Sequence, residues 1–142
     1  MQITWSEDLR TGNEQIDSQH QYLVEHANRL YGLIEDGIDE DERRKVLHSL
    51  VDFVKMHFDT EERLMRECNF PDSRAHLAEH AEFFHVIEAF MRRQASGEAV
   101  TAIGLNHLFM NWFLDHIREF DFALVAYARN HSVIQRISNV HI

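Results

Sequence analysis

Two pairs of potential metal ligands, on either side of the chain's only proline, constrain this sequence more than any other feature. His57 and Glu61 are four residues apart, and so are His76 and His80. Side chains with this spacing stack on one face of a helix. If both segments are helical, each of them presents two metal-binding groups in one direction.

A short turn between the two helices should bring these faces together. Pro71 has no N–H to donate, and proline disfavours helix in the residue before it. One helix is therefore predicted to end near Cys68 and the next to begin near Ser73. Helices joined by so short a turn pack as antiparallel neighbours.

Composition favours long helices in a single domain. The 142 residues are enough to bury a core, and only 5 of them are glycine and 1 is proline, which leaves little material for the turns of a sandwich or barrel. The predicted fold is all-α, an up-down-up-down antiparallel four-helix bundle with an N-terminal arm and a short C-terminal extension. Within one domain, the arm, the bundle and the tail are assigned to residues 1–15, 16–128 and 129–142.

Apolar periodicity locates the helices and shows what lies on their buried stripes. The predicted ranges are about 17–35, 41–67, 73–94 and 99–128. Trp5 and Leu9 should pin the arm across the body of the domain. In the fourth helix the predicted stripe continues from His116 through Phe120 and Ala123.

Polar side chains lie on or beside all four stripes, namely His20, His57, Glu61, His76, His80, His116 and Asp121. A single buried histidine is more often a core residue bonded to a carbonyl. An apolar core of this size could hardly satisfy so many polar groups without an ion. Seven ligands exceed what one ion usually takes, so two ions are implied, and imidazole with carboxylate suits iron, manganese or zinc.

Asp121 is the one member of this set that ideal helical spacing does not explain. It follows His116 by five residues, which is about 140° around an α-helix. Either the metal lies beside the helix, or the helix is locally widened at this point.

Net charge and cysteine content indicate which partners and which cellular compartment to expect. The net charge of -10 disfavours binding to nucleic acid or to an anionic membrane surface. The single cysteine, Cys68, cannot form an internal disulfide, which fits a reducing compartment. With no signal-peptide pattern and no apolar run of the ~20 residues that span a bilayer, we expect a cytoplasmic location.

In order and in spacing, these motifs resemble those of the hemerythrins, specifically the bacterial ones, over about residues 3–127. The matching segments are Asp17-Ser18-Gln19-His20, His57-x3-Glu61-Glu62, His76-x3-His80 and Trp112-x3-His116-Ile117-x3-Asp121. The resemblance implies two iron ions (Fe2+/Fe3+) with an oxo or hydroxo bridge, and reversible binding of O2 for carriage, storage or delivery. It implies that the first iron is bound by His76, His80 and His116. On the same resemblance, the second iron is bound by His20 and His57, and both irons are bridged by Glu61 and Asp121.

The resemblance also implies an apolar O2 pocket beside the second iron, which keeps an open position. Ordinary core packing is the simpler explanation for any single one of its candidate lining residues, which are Leu23, Phe58, Phe84, Trp112 and Phe113. Phe113 departs from the family pattern, in which a leucine commonly follows the tryptophan. The larger ring could shrink the pocket, slow the access of O2 or shift the site away from storage.

Other functions remain open at the level of sequence. His76 to His80 also spells the HxxEH motif of inverted zinc peptidases, with Glu79 as the base. A ferritin-like oxidase needs two Glu-x-x-His motifs, and the one present is Glu82-x-x-His85. We expect no enzymatic activity, with a di-iron oxidase or peroxidase as the alternative. An O2 or redox sensor would act through a partner, or a second copy, at the tail beyond Arg129.

Overall fold

The computed structural model describes residues 4–37, 39–95, 104 and 112–140, and it shows the predicted four-helix bundle. Helix α1 is Glu14–Glu35, α2 is Glu40–Cys68 and α3 is Ser73–Ala95. The fourth helix, α4, is described over residues 112–140. It contains an α-helical turn, a π-helical turn and a long α-helix in succession: Leu114–His116, Ile117–Asp121 and Phe122–Val140.

The turn between α2 and α3 lies where the proline predicted it. Asn69 adopts a left-handed conformation with φ of 54°, which ends α2 at Cys68. The backbone N–H of Phe70 then donates to the carbonyl of Met65 at 3.0 Å, satisfying one of the last carbonyls of the helix. Because the connection is short, the ligand-bearing faces of α2 and α3 lie against each other.

The arm is shorter than predicted but is fixed to the bundle. Helix α1 begins at Glu14, because the side chain of Asn13 caps it by accepting from the N–H of Ile16 at 3.0 Å. Leu9, in the 3-10 turn Glu7–Leu9, is 2% exposed, and Trp5 packs on the same core. Trp5 and Leu9 therefore hold the arm against the core of the bundle, as predicted.

The buried face of α4 differs from the predicted stripe. Ala123 is exposed and Phe120 is half-buried, whereas Asp121 and Leu124 are fully buried. The cause is the π-helical turn, in which the N–H of Phe122 donates to the carbonyl of Ile117, five residues back. One extra residue in a turn shifts every later position, so the predicted stripe was wrong by one residue beyond this point.

The helix continues through the segment assigned to a separate tail. The backbone of α4 runs without a break to Val140. The predicted start of the fourth helix and the docking of the tail's apolar side chains both lie outside the described residues. None of the helices in the described ranges combines the length and apolar character needed to cross a bilayer.

Candidate metal centre

The structure brings all seven predicted ligands to one place inside the bundle. Helix α1 contributes one of them, and α2, α3 and α4 contribute two each: His20; His57 and Glu61; His76 and His80; His116 and Asp121. Every one is at most 2% exposed. Burial of five imidazoles and two carboxylates in one core is rare unless they are paired with each other or with an ion.

Glu61 lies at the centre, and its two oxygens face different histidines. Its Oε2 is 2.7 Å from His57 Nε2 and 3.5 Å from His20 Nε2. Its Oε1 is 3.0 Å from His76 Nε2 and 2.9 Å from His80 Nε2. One oxygen therefore serves the pair of histidines, and the other serves the group of three that His116 completes.

Asp121 divides its oxygens in the same way. Its Oδ2 is 2.9 Å from His20 Nε2, whereas its Oδ1 is 3.1 Å from His116 Nε2 and 3.2 Å from His76 Nε2. A carboxylate that presents one oxygen to each of two ligand groups has the arrangement of a bridge between two ions.

The ligand atoms form two sets that could each hold an ion. In each set the atoms all lie within 4.8 Å of one another: Glu61, His76, His80 and His116; His20, His57, Glu61 and Asp121. Glu61 belongs to both sets. The histidines divide into three and two, as the sequence resemblance implied, whereas Asp121, which the resemblance makes a second bridge, falls only in the set with His20 and His57.

The π-helical turn is what brings Asp121 into the site. An i→i+5 hydrogen bond makes the turn one residue longer, so that residues five apart come to lie on the same side of the helix. His116 and Asp121 are then close enough for direct contact. Of the two explanations open at the level of sequence, the local widening of the helix is the one observed.

Several buried ligand atoms find no hydrogen-bond partner among the described residues, namely His20 Nε2, His57 Nε2, Glu61 Oε2, His116 Nε2 and both oxygens of Asp121. Buried polar atoms are normally bonded, and leaving one unsatisfied costs about 1–3 kcal/mol. Cations placed between the carboxylates and the histidines would satisfy them together. The residues present therefore fit metal ions.

The electrostatics of the cluster also call for positive charge. Burial alone would lower the pKa of His20, but the nearby carboxylates of Asp121 and Glu61 outweigh it and raise the pKa to about 9. The same opposition raises the pKa of His116 to about 10. Burial would raise the pKa of Glu61, but the surrounding histidines hold it well below its usual value. The two buried carboxylates therefore favour positive charge at this place in the core.

Two further residues act on the ligands, and the sequence argument gave them no role. The Nδ1 of His57 is 2.8 Å from Gln19 Oε1, and the Nδ1 of His80 is 3.0 Å from Glu62 Oε2. Such contacts orient a metal-binding imidazole and fix which nitrogen carries its proton. Gln19 directly precedes His20, and Glu62 directly follows Glu61. This adjacency to a proposed ligand is the signal that could have marked both residues as candidates.

Aromatic rings pack directly on the histidines. Phe58 stacks on His80 with ring centroids 3.8 Å apart, and Trp112 stacks on His116 at 4.7 Å. The ring of Phe113 packs edge to face on the imidazole of His20, with ring centroids 5.5 Å apart. Of the remaining pocket candidates, Leu23 is buried in the same core cluster and the half-buried Phe84 packs against it. Their role in O2 binding stays a prediction.

The residues of the rival motifs do not join the cluster. Glu79, the base of a zinc peptidase motif, is half-buried and belongs to neither ligand set in the described part of the chain. Glu82 and His85, the single ferritin-type pair, are both exposed.

A four-helix bundle with histidines and carboxylates from its four helices in the core is typical of metal-binding bundle proteins. The fold and the buried cluster place this chain in that class. Residues 11–128 match the family model described as "Hemerythrin HHE cation binding domain". The chain therefore belongs to the hemerythrin family, whose domain implies non-haem iron binding.

Relatives and solved structures agree with this family over most of the chain. The bacteriohemerythrin of Pseudomonas aeruginosa (strain LESB58) is 33% identical over 137 residues, which cover 96% of this chain and 88% of the relative. That of Methylococcus capsulatus is 29% identical over 120 residues, covering 84% and 91%. A structure of wild-type hemerythrin matches with a TM-score of 0.82 at 28% identity, covering 89% of this chain and 97% of the other.

Proposed function

We propose that this protein binds O2 reversibly at a di-iron centre whose ligands are the seven buried residues, with an oxo or hydroxo bridge between the irons. The observation that carries the proposal is the orientation of the two carboxylates. Glu61 and Asp121 each turn one oxygen toward His20 and the other toward the group of three histidines. Two cations bridged by both carboxylates match this pattern.

The unequal division of histidines suggests where O2 would bind. With three histidines on one side and two on the other, an ion held by His20 and His57 would have one protein ligand fewer than its neighbour, which would leave room there for O2. When bound, two ferrous ions supply two electrons that O2 can accept and return. The side bearing His20 and His57 is therefore the proposed O2 side.

The chain's own residues would keep water away from that side. Phe113 is 2% exposed and lies edge to face with His20. Phe58 is also 2% exposed and lies between the two sides, with its ring 3.8 Å from that of His80 and 5.9 Å from that of His57. A dry lining of this kind slows the exchange of protons and water that would make O2 binding irreversible. This favours carriage, storage or delivery of O2 over catalysis.

The test is the optical spectrum of iron-loaded protein that is reduced without air, exposed to O2 and then degassed. We expect two irons per chain, a colour that develops with O2 and its loss on degassing. His57→Ala should bind fewer than two irons, whereas His48→Ala, at an exposed histidine of the same helix, should match the wild type. Passage straight to a stable oxidised spectrum would contradict reversible binding.

A sensor is the second candidate, because α4 links the site to the tail. His116 and Asp121 lie on the same helix that runs on to Val140. A change at the ligands could pass along this helix to a protein partner or a second copy of the chain. A change in oligomeric state between oxidised and reduced iron-loaded protein, measured by sedimentation, would favour sensing, and no change would favour carriage.

A further inference from the structure

Two of the five proposed ligand histidines have a hydrogen-bond partner at Nδ1, the ring nitrogen that faces away from the site, and the two partners differ in charge. His57 contacts the neutral amide of Gln19, and His80 contacts the carboxylate of Glu62. For the other three, His20, His76 and His116, the Nδ1 atom has no hydrogen-bond partner among the described residues. Each proposed iron thus has one histidine that is fixed by a hydrogen bond, and the acceptor is uncharged only on the proposed O2 side.

A chain of hydrogen bonds determines which way the amide of Gln19 points. The carbonyl of Met56 can only accept, so the hydroxyl of Thr60 donates to it at 3.2 Å. The same hydroxyl oxygen then accepts from Gln19 Nε2 at 3.1 Å. The amide oxygen of Gln19 is left facing His57 Nδ1 at 2.8 Å, so that this nitrogen must donate.

This direction prepares His57 for a metal before any metal arrives. With the proton on Nδ1, the lone pair is on Nε2, which lies 2.7 Å from Glu61 in the centre of the site. Gln19 is half-buried and Thr60 is half-buried, so the chain of bonds is partly shielded from competing water. No part of it depends on a charged group.

We propose that Gln19 is a positioning residue, which presents His57 Nε2 to the second iron and, as a neutral acceptor, leaves that iron easier to reduce than a carboxylate would. The proposal rests on the proposed di-iron function. A carboxylate acceptor increases the basicity of a ligating imidazole and so favours the ferric ion. Glu62 does this for His80, and Gln19 does not do it for His57. The iron on the proposed O2 side would thereby be the one that more readily takes back its single electron when O2 leaves.

Two variants separate position from charge. Gln19→Leu removes the acceptor, and we expect a loss of about 10- to 100-fold in affinity for the second ion. Gln19→Glu keeps an acceptor, so affinity should be restored. The ratio of oxidised to reduced protein at a fixed potential should, however, rise about tenfold, which is 59 mV for a one-electron couple. Gln15→Glu adds the same charge one turn away at an exposed position and serves as the matched control.

Affinity is measured by titrating the metal-free 142-residue chain with Co2+ under argon, which does not involve O2. The potential is measured on iron-loaded protein by spectroelectrochemistry. Thr60→Val, which removes only the hydroxyl that orients Gln19, should weaken the second Co2+ in the same direction and by less. It keeps the test decisive if Gln19→Leu does not fold.

The outcomes distinguish this proposal from the proposed function. If wild-type protein binds fewer than two Co2+ ions, the di-iron function fails. If it binds two and both Gln19→Leu and Thr60→Val bind the second equally well, positioning by Gln19 is refuted. If Gln19→Glu shifts the potential no more than Gln15→Glu, the role of the neutral acceptor is refuted.

Discussion

The metal-free protein should lose stability as the pH rises from 6.5 to 9. In the folded state the pKa values of His20 and His116 are raised from 6.5 to about 9 and about 10. A group whose pKa is raised by folding stabilises the fold fully below its unfolded pKa, and loses that contribution as the pH rises through its folded pKa. Above pH 6.5 the folded protein holds more protons than the unfolded chain, so the free energy of unfolding falls.

The size of the effect follows from these two groups. One pKa unit of difference between folded and unfolded states is worth about 1.4 kcal/mol, which gives about 3 kcal/mol for His20 and about 5 kcal/mol for His116. Both imidazoles draw on the same carboxylates, so the two contributions do not add. We expect a loss of about 3 kcal/mol between pH 6.5 and 9, or about 10 °C in melting temperature.

Urea unfolding followed by circular dichroism at half-unit pH steps measures this loss. His57 opposes this loss only slightly, because burial lowers its pKa and its contribution to stability changes mainly below pH 6.5. Protein loaded with Zn2+, which occupies the imidazole nitrogens without redox change, should show a much flatter profile. A metal-free profile that is flat or rising from pH 6.5 to 9 would refute the reasoning.

The remaining predictions concern the site, the pocket and the arm. Glu61→Ala should reduce bound iron below two per chain, measured by elemental analysis, because Glu61 belongs to both ligand sets. Asp59→Ala, at an exposed position of the same helix, should leave bound iron unchanged. Two irons retained by Glu61→Ala would count against bridging by Glu61. Phe113→Leu should cost about 1 kcal/mol and speed O2 binding in stopped flow; an unchanged rate would remove Phe113 from the pocket. The carboxylate of Asp17 accepts hydrogen bonds from Thr11 and Gly12 and so fixes the arm to α1. Asp17→Ala should therefore lower the free energy of unfolding by about 2 kcal/mol, seen in thermal melts, and expose the arm to proteolysis. Melting and cleavage like those of the wild type would argue against this role of Asp17.

Most of the helical framework could be predicted from local sequence. The scarcity of breakers, the proline turn and the four-residue spacing of the two ligand pairs all act within a few residues of chain, where helical geometry is nearly constant. The same periodicity singled out six of the seven proposed ligands, all except Asp121, because a polar residue on an apolar stripe stands out without knowledge of its partners. The contact of Leu9 with the core was predicted for a similar reason, namely that a large apolar side chain in a polar arm needs a place to pack.

What the tertiary structure decided was the geometry that depends on distant residues. The π-helical turn at Asp121 gives up regular hydrogen bonding, and periodicity cannot reveal it; its carboxylate meets His20, on another helix about a hundred residues earlier in the chain. The division of each carboxylate between two histidine groups likewise needs all four helices in place. The contact of Gln19 with His57 depends on the pairing of α1 with α2, so spacing along the chain alone could not assign it. Local spacing determined which residues face inward, and helix packing determined which atoms meet.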